Sequence, residues 1–131
     1  MSFGSPNEQN WAGRWDQLFD VLSAEPRREI IISLRDAPPD QRVPLPDAAE
    51  SPNQSMDSET LAIKLRHHHL PKLADVGYVH WESEPFCVQR GSNFAEAEFI
   101  VGKVFESIEE IPDSLLKNCR VLGELAVDDR D

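Results

Sequence analysis

Apolar residues recur along this chain in two rhythms, and the points where the rhythm changes mark its elements. Trp15, Leu18, Phe19 and Leu22 stand at i, i+3, i+4 and i+7, the spacing of one face of an amphipathic helix. Ser23-Ala24-Glu25 interrupts that rhythm, and Pro26 suits the first position of a second helix. Ile30, Ile31 and Leu34 give the second helix its buried face, while Arg27, Arg28 and Arg35 line its polar side. Prolines at 38, 39, 44, 46 and 52 then exclude any long helix between Asp36 and Asp57. Within that stretch Val43-Pro44-Leu45 reads as a short edge strand, and Pro46 to Glu50 as a helix of little more than one turn.

Asp57 or Ser58 caps the next helix, with Glu59 suitably placed for the helix dipole. Successive residues about 100° apart put Leu61, Ala62, Leu65, His69 and Leu73 on its inner side. Thr60, Lys64, His67 and His68 fall on the other side. Pro71 removes the amide that would bond the carbonyl of His67, which predicts a kink. Gly77 supplies a left-handed stop. The rhythm then changes to two. Tyr78 to Glu82 reads as a strand, Ser83-Glu84-Pro85 as a turn and Phe86 to Gln89 as the returning strand of a hairpin.

Asn93 and Glu96 have capping-box spacing and open a final long helix. Phe94, Ala97, Val101, Val104, Phe105 and Ile108 hold one apolar arc through it, with Phe99 outside the arc. Such a helix must bury its face against its own domain or against a second subunit, and the second arrangement predicts a homodimer. Pro112 ends it; Leu115, Leu116, Leu122 and Leu125 suggest further docking before an acidic end at Asp128 to Asp131. The resulting division is a flexible tail over 1–14, a domain over 15–90, a dimerisation helix over 91–111 and an acidic tail over 112–131.

The passage HHHLPKLADVGYV, His67 to Val79, resembles the recognition-helix-to-wing passage of winged helix-turn-helix regulators, S-x-H-L-x-x-L-x-x-A-G-L-V. More narrowly it resembles the small ArsR-like domain of haloarchaea, in which H-x-H-L-P-K-L-A-D-x-G recurs. The likeness is specific over Leu65 to Val79 and looser from Trp15 to Gln89. It implies a mainly α fold with a small β-hairpin wing, a winged helix-turn-helix with the C-terminal amphipathic helix added. It also implies a transcriptional regulator whose partner is double-stranded DNA. The short Pro46–Glu50 helix and the long gap after it depart from the general pattern, in which three or four residues separate the two helices.

Charge complicates that implication. The chain has 131 residues, 24 acidic against 13 basic, and a net charge of −11. DNA-binding domains ordinarily leave a basic footprint. Two readings account for the acidity: a solvated surface that favours solubility, or adaptation to molar salt, where the Debye length falls to about 3 Å and self-repulsion is screened. The haloarchaeal resemblance favours the second. Cys87 and Cys119 do not make a disulfide framework and read as reduced intracellular thiols. Neither a signal sequence nor an apolar run of eighteen residues is present, so the sequence predicts a cytoplasmic protein with no membrane partner.

Lys64 to Lys72 is the one local island of positive charge. The DNA-reading hypothesis places Thr60, Lys64, His67 and His68 toward the groove and Arg27, Arg28, Arg66 and Lys72 toward phosphates. The competing hypothesis is a winged-helix module that binds protein and not DNA, favoured by Glu82 and Glu84 at the hairpin. Three consecutive histidines point about 100° apart and cannot close on one ion, whereas a helical chelate needs i and i+4. His80 and Cys87 offer only a formal completion, so no metal, cofactor or small-molecule ligand is expected. No phosphate loop, nucleophile elbow or oriented Cys–His pair suggests an enzyme.

Overall fold

The computed structural model describes residues 6–50 and 56–118, with side chains placed over 13–50 and 56–116. Phe3, the Trp11 side chain, Cys119, Leu122, Leu125 and Asp128–Asp131 lie outside the described residues. Helix α1 (Pro6–Val21) and helix α2 (Glu25–Asp36) are followed by the two-residue strand β1 (Val43–Pro44) and a 3-10 turn, Asp47–Ala49. Helix α3 (Ser58–Lys64), a π-helical turn (Leu65–His69) and helix α4 (Leu70–Asp75) run on without a break. Strands β2 (Val79–Ser83) and β3 (Phe86–Arg90), helix α5 (Phe94–Glu106), a 3-10 turn (Ile108–Glu110) and helix α6 (Asp113–Asn118) complete the order. The protein is thus mainly helical with one small sheet.

The sheet is antiparallel throughout, in the order β1-β3-β2. Val79 pairs with Arg90 and Ser83 with Phe86, closing a tight hairpin over Glu84-Pro85. Val43 and Pro44 add to its outer edge opposite Val88 and Cys87. Proline suits an edge because it brings no amide to a further ladder.

One core joins these pieces. Ile30, Ile31 and Leu34 of α2 meet Leu61, Leu65, Leu70 and Leu73 across the interior, with Tyr78, Val79 and Val88 from the hairpin. The apolar arcs of α2 and of the α3–α4 segment therefore face inward as their spacing predicts. Gly77 ends α4 at φ 79°, and its amide and that of Tyr78 bond the carbonyls of Ala74 and Leu73. Together they satisfy two carbonyls that α4 leaves free. Gly91 packs on the same corner, where a Cβ would collide with the Gly77 carbonyl oxygen.

Arg90 fixes the hairpin to α2. Its guanidinium donates to the carbonyls of Leu34, Arg35 and Ala37 and lies over the Phe94 ring. A cation at a helix C-terminus meets both the orphan carbonyls and the negative end of the dipole.

Three expectations about α1 and the start of α5 differ from the structure. Helix α1 begins at Pro6 and so occupies much of the stretch 1–14 read as a tail. Its inward arc is rotated toward Val21: Leu18 and Val21 are buried, while Trp15 is 51% exposed and Phe19 61% exposed. The capping box at Asn93 and Glu96 does not form. The Asn93 side-chain amide instead donates to the carbonyl of Val76, and Glu96 accepts from the Tyr78 hydroxyl at 3.2 Å and pairs with Arg14.

Candidate nucleic-acid interface

Asp57 starts the segment that carries the sequence-predicted reading face. Its carboxylate accepts from the Thr60 amide at 2.7 Å, and this bond holds the carboxyl below the usual carboxylate range. The Ser58 hydroxyl donates to Glu50 at 2.7 Å and ties the helix start to the end of the 3-10 turn. Leu61 and Leu65 then bury one side. Thr60, Ile63 and Lys64 are exposed on the other.

The disturbance expected at Pro71 takes the form of a widened turn just before it. The Leu70 amide donates to the Leu65 carbonyl, five residues back, in a π-type bond. A wider turn makes room for a ring that would clash with the carbonyl of His67 in an ideal α-helix. It also advances each residue by less than the α-helical angle. His69 is thereby kept over the buried Leu61–Leu65 stripe, and His67 and His68 both remain exposed.

His69 meets Arg27. The Arg27 guanidinium, 4% exposed, donates to the Val21 carbonyl at 2.6 Å, the Asp20 carbonyl at 3.3 Å and the Ser23 hydroxyl at 3.3 Å. Its remaining nitrogen lies 3.0 Å from Nδ1 of His69 and 3.4 Å from Nε2 of His68. Burial, and then the Arg27 charge, lower the His69 pKa to about 4. Arg27 therefore does not line the polar side of α2, as the sequence predicts for a phosphate contact. It closes the α1–α2 turn and attaches that turn to the α3–α4 segment. An arginine on the boundary arc of a helix turns inward when unsatisfied carbonyls and imidazoles await it there.

The other three predicted phosphate contacts scatter. Arg28 donates to the Leu22 carbonyl at 2.8 Å and lines a groove between α2 and α5. That groove is also bounded by Phe19, so Arg28 sits beside α5 and not on the Thr60–His68 stripe. Lys72 is paired with Asp20 at 2.6 Å, an exposed contact that lowers the carboxyl pKa. Arg66 is exposed and stacks on Phe86 of the hairpin, 4.1 Å from the ring centroid. Stacking leaves the edge N–H groups of a guanidinium free to donate. Thr60, Lys64, His67 and His68 are therefore exposed as a strip along one side of the segment and Arg66 is exposed where the segment meets the hairpin, whereas Arg27 is buried, Arg28 lines the α2–α5 groove and Lys72 is half of an ion pair.

Acidic groups frame the strip. Glu59 is exposed beside Thr60, and Glu84 is exposed at the hairpin turn. Glu82 is paired with Arg42 at 3.0 Å, and Arg42 also donates to Gln89. Pairing of Arg42 with the hairpin is invisible in the sequence, because forty residues separate the partners. His80 is exposed and Cys87 buried on the hairpin, and among the described residues no three His, Cys, Asp or Glu side chains gather as metal ligands. Nor, among those residues, is any helix long and apolar enough to cross a membrane.

The predicted dimerisation arc divides. Phe94, Ala97 and Val101 belong to the chain's own core, and α5 packs on α2. Ile108 packs with Leu116 and Ile111 in a second small cluster. Only Val104 and, partly, Phe105 remain at the surface. Phe99, placed outside the arc by its spacing, is 55% exposed. It borders a second groove with Arg14, Trp15, Leu18 and Ala95. The exposed apolar surface of this region is therefore a joint α1–α5 face of Trp15, Phe19, Phe99 and Val104, not the arc read from α5 alone.

The chain belongs to the family described as Domain of unknown function (DUF7344), whose model matches residues 19–89, more than half of its length. The match runs from α1 to β3 and thus contains Arg27, the π-helical turn and the hairpin, but not α5. No curated protein and no solved structure matches the chain.

Proposed function

We propose that this member of the DUF7344 family is a winged helix-turn-helix transcriptional regulator that binds specific DNA as a homodimer in a salt-rich cytoplasm. The observation that carries the reading is the strip Thr60, Lys64, His67 and His68, exposed along a segment whose opposite face is locked into the core. A helix so held can enter a major groove without rearrangement, and its donors match base edges. Arg66, held on Phe86, meets a phosphate beside the groove, and the hairpin acts as the wing.

The α1–α5 face supplies the dimer. It carries three projecting aromatics, Trp15, Phe19 and Phe99, and apolar grooves beside them. An isologous contact needs a knob and a hollow on the same surface. Two half-sites about one helical turn apart would then be read together.

A protein-binding module without DNA affinity is the second reading. It is favoured by Glu59 and Glu84 beside the strip and by the engagement of Arg27 and Lys72 within the protein. Lys64→Ala with His67→Ala separates the two. Both side chains are exposed, so the pair should leave the melting temperature nearly unchanged. Loss of DNA binding supports the reading; unaltered affinity counts against this face.

A further inference from the structure

One residue on the strip is of the wrong polarity for solvent. Ile63 is 56% exposed and stands between Thr60 and His67, both exposed, at the helical spacings of three and four that place the three on one face, with the exposed Lys64 next to it in the chain. The other large exposed apolar side chains of the described residues lie on α1, α5 and α6, at Trp15, Phe19, Phe99, Val104 and Leu115. A single exposed apolar residue is ordinary on a protein surface. This one is distinguished by its position on the face shared by Thr60 and His67, on a segment whose opposite side, Leu61 and Leu65, is held in the core.

We infer that Ile63 is a specificity-determining residue that packs on the C5-methyl group of a thymine in the DNA major groove. The inference rests on the DNA-binding reading of the same strip. Thymine alone among the four bases presents an apolar group in the major groove. A β-branched side chain is stiff at χ1, so little rotamer freedom is lost when it is pressed against that methyl. Thr60 and Lys64, one turn or less away, supply donors for the neighbouring base edges, which fixes the register of the apolar contact. The ligand is therefore a duplex with a thymine near the centre of each half-site. Because the contact is short-ranged and uncharged, it persists at salt concentrations that screen phosphate contacts.

The test uses the full-length protein and the best duplex from a selection in molar KCl. Each thymine is replaced in turn by deoxyuridine, which removes only the methyl group. At one thymine per half-site the wild-type protein should lose about fourfold in affinity, the worth of one methyl-sized group withdrawn from water. Ile63→Ala should bind the thymine duplex more weakly by a similar factor and be indifferent to deoxyuridine at that same position. Its melting temperature should match wild type. A selected motif without thymine, a wild type indifferent to every deoxyuridine, or an Ile63→Ala variant that keeps its methyl sensitivity overturns the inference and leaves DNA binding standing. A folded protein that selects no DNA at all overturns both.

Discussion

A terminal nitrogen of the Arg27 guanidinium lies 3.0 Å from Nδ1 of His69, and because arginine can only donate, His69 must carry its proton on Nε2. This contact joins the α1–α2 turn to the π-helical turn of the candidate reading segment. A buried guanidinium is costly unless its N–H groups are satisfied. Here carbonyls, a hydroxyl and imidazoles satisfy them.

Arg27→Ala should destabilise the protein by about 3 kcal/mol, since it strands buried carbonyls and an imidazole that the guanidinium now bonds. Arg27→Lys should recover only part of that, because an ammonium cannot span the same acceptors. Chemical denaturation measures both. An Arg27→Ala protein as stable as wild type would mean that the guanidinium acts at the surface.

The same contact predicts a pH dependence. The His69 pKa is lowered to about 4, below the ordinary value of 6.5, so between these values the unfolded chain binds more protons than the folded one. The stabilisation is complete above about pH 6.5 and falls as the pH drops toward 4. At about 1.4 kcal/mol per pKa unit the loss reaches roughly 3 kcal/mol. His69→Gln, which cannot take up a proton, should flatten that part of the curve. Melting temperatures at constant molar salt would show it, and a His69→Gln curve parallel to wild type would assign the dependence to other groups.

Val101 and Phe19 should respond differently to a charge. Val101 lies in the core under α5, so Val101→Asp buries an unpaired carboxylate and should cost several kcal/mol of folding stability. Phe19→Asp should leave a folded monomer, because its side chain already faces water. Light scattering in molar KCl separates these outcomes. A wild-type protein that is monomeric there would rule out the α1–α5 dimer.

Elements with a strong apolar rhythm were legible in the sequence. Ile30, Ile31 and Leu34, the Leu61–Leu65–Leu73 stripe, the Gly77 stop and the hairpin all stand where periodicity and turn chemistry place them. Residues on the boundary between two arcs were not. Trp15 and Phe19 fit the helical spacing as well as Leu18 and Val21 do, and only packing against α2 and α5 decides which arc is buried. Arg27 reads as a solvated cation because its partners are backbone carbonyls and a histidine 42 residues away. Pro71 announces a disturbed helix, but its form, a π-type turn ending at the Leu70 amide, is not written in the spacing; Leu65 and Leu70 both stay in the core across it.

Salt should act unusually. A conventional protein making six to ten phosphate contacts loses roughly 10³ to 10⁵ in affinity between 50 and 200 mM salt. Here Glu59 and Glu84 repel phosphates in dilute buffer, Lys72 is shared with Asp20, and Glu82 with Arg42. Binding should therefore persist or strengthen as KCl rises toward molar, with circular dichroism followed in parallel to separate refolding from affinity. Glu82→Lys with Glu84→Lys should restore a steep conventional slope. A wild type that stays folded throughout yet binds best in dilute buffer contradicts this.

Selection of bound sequences from random duplex DNA in molar KCl addresses the central claim most directly. The Thr60–His68 strip predicts one enriched motif, two-fold symmetric if the α1–α5 dimer forms, which disappears when Lys64→Ala and His67→Ala are combined. A folded wild-type protein that enriches no sequence, or a double variant that enriches the same one, would contradict the assignment of this strip as a DNA-reading surface.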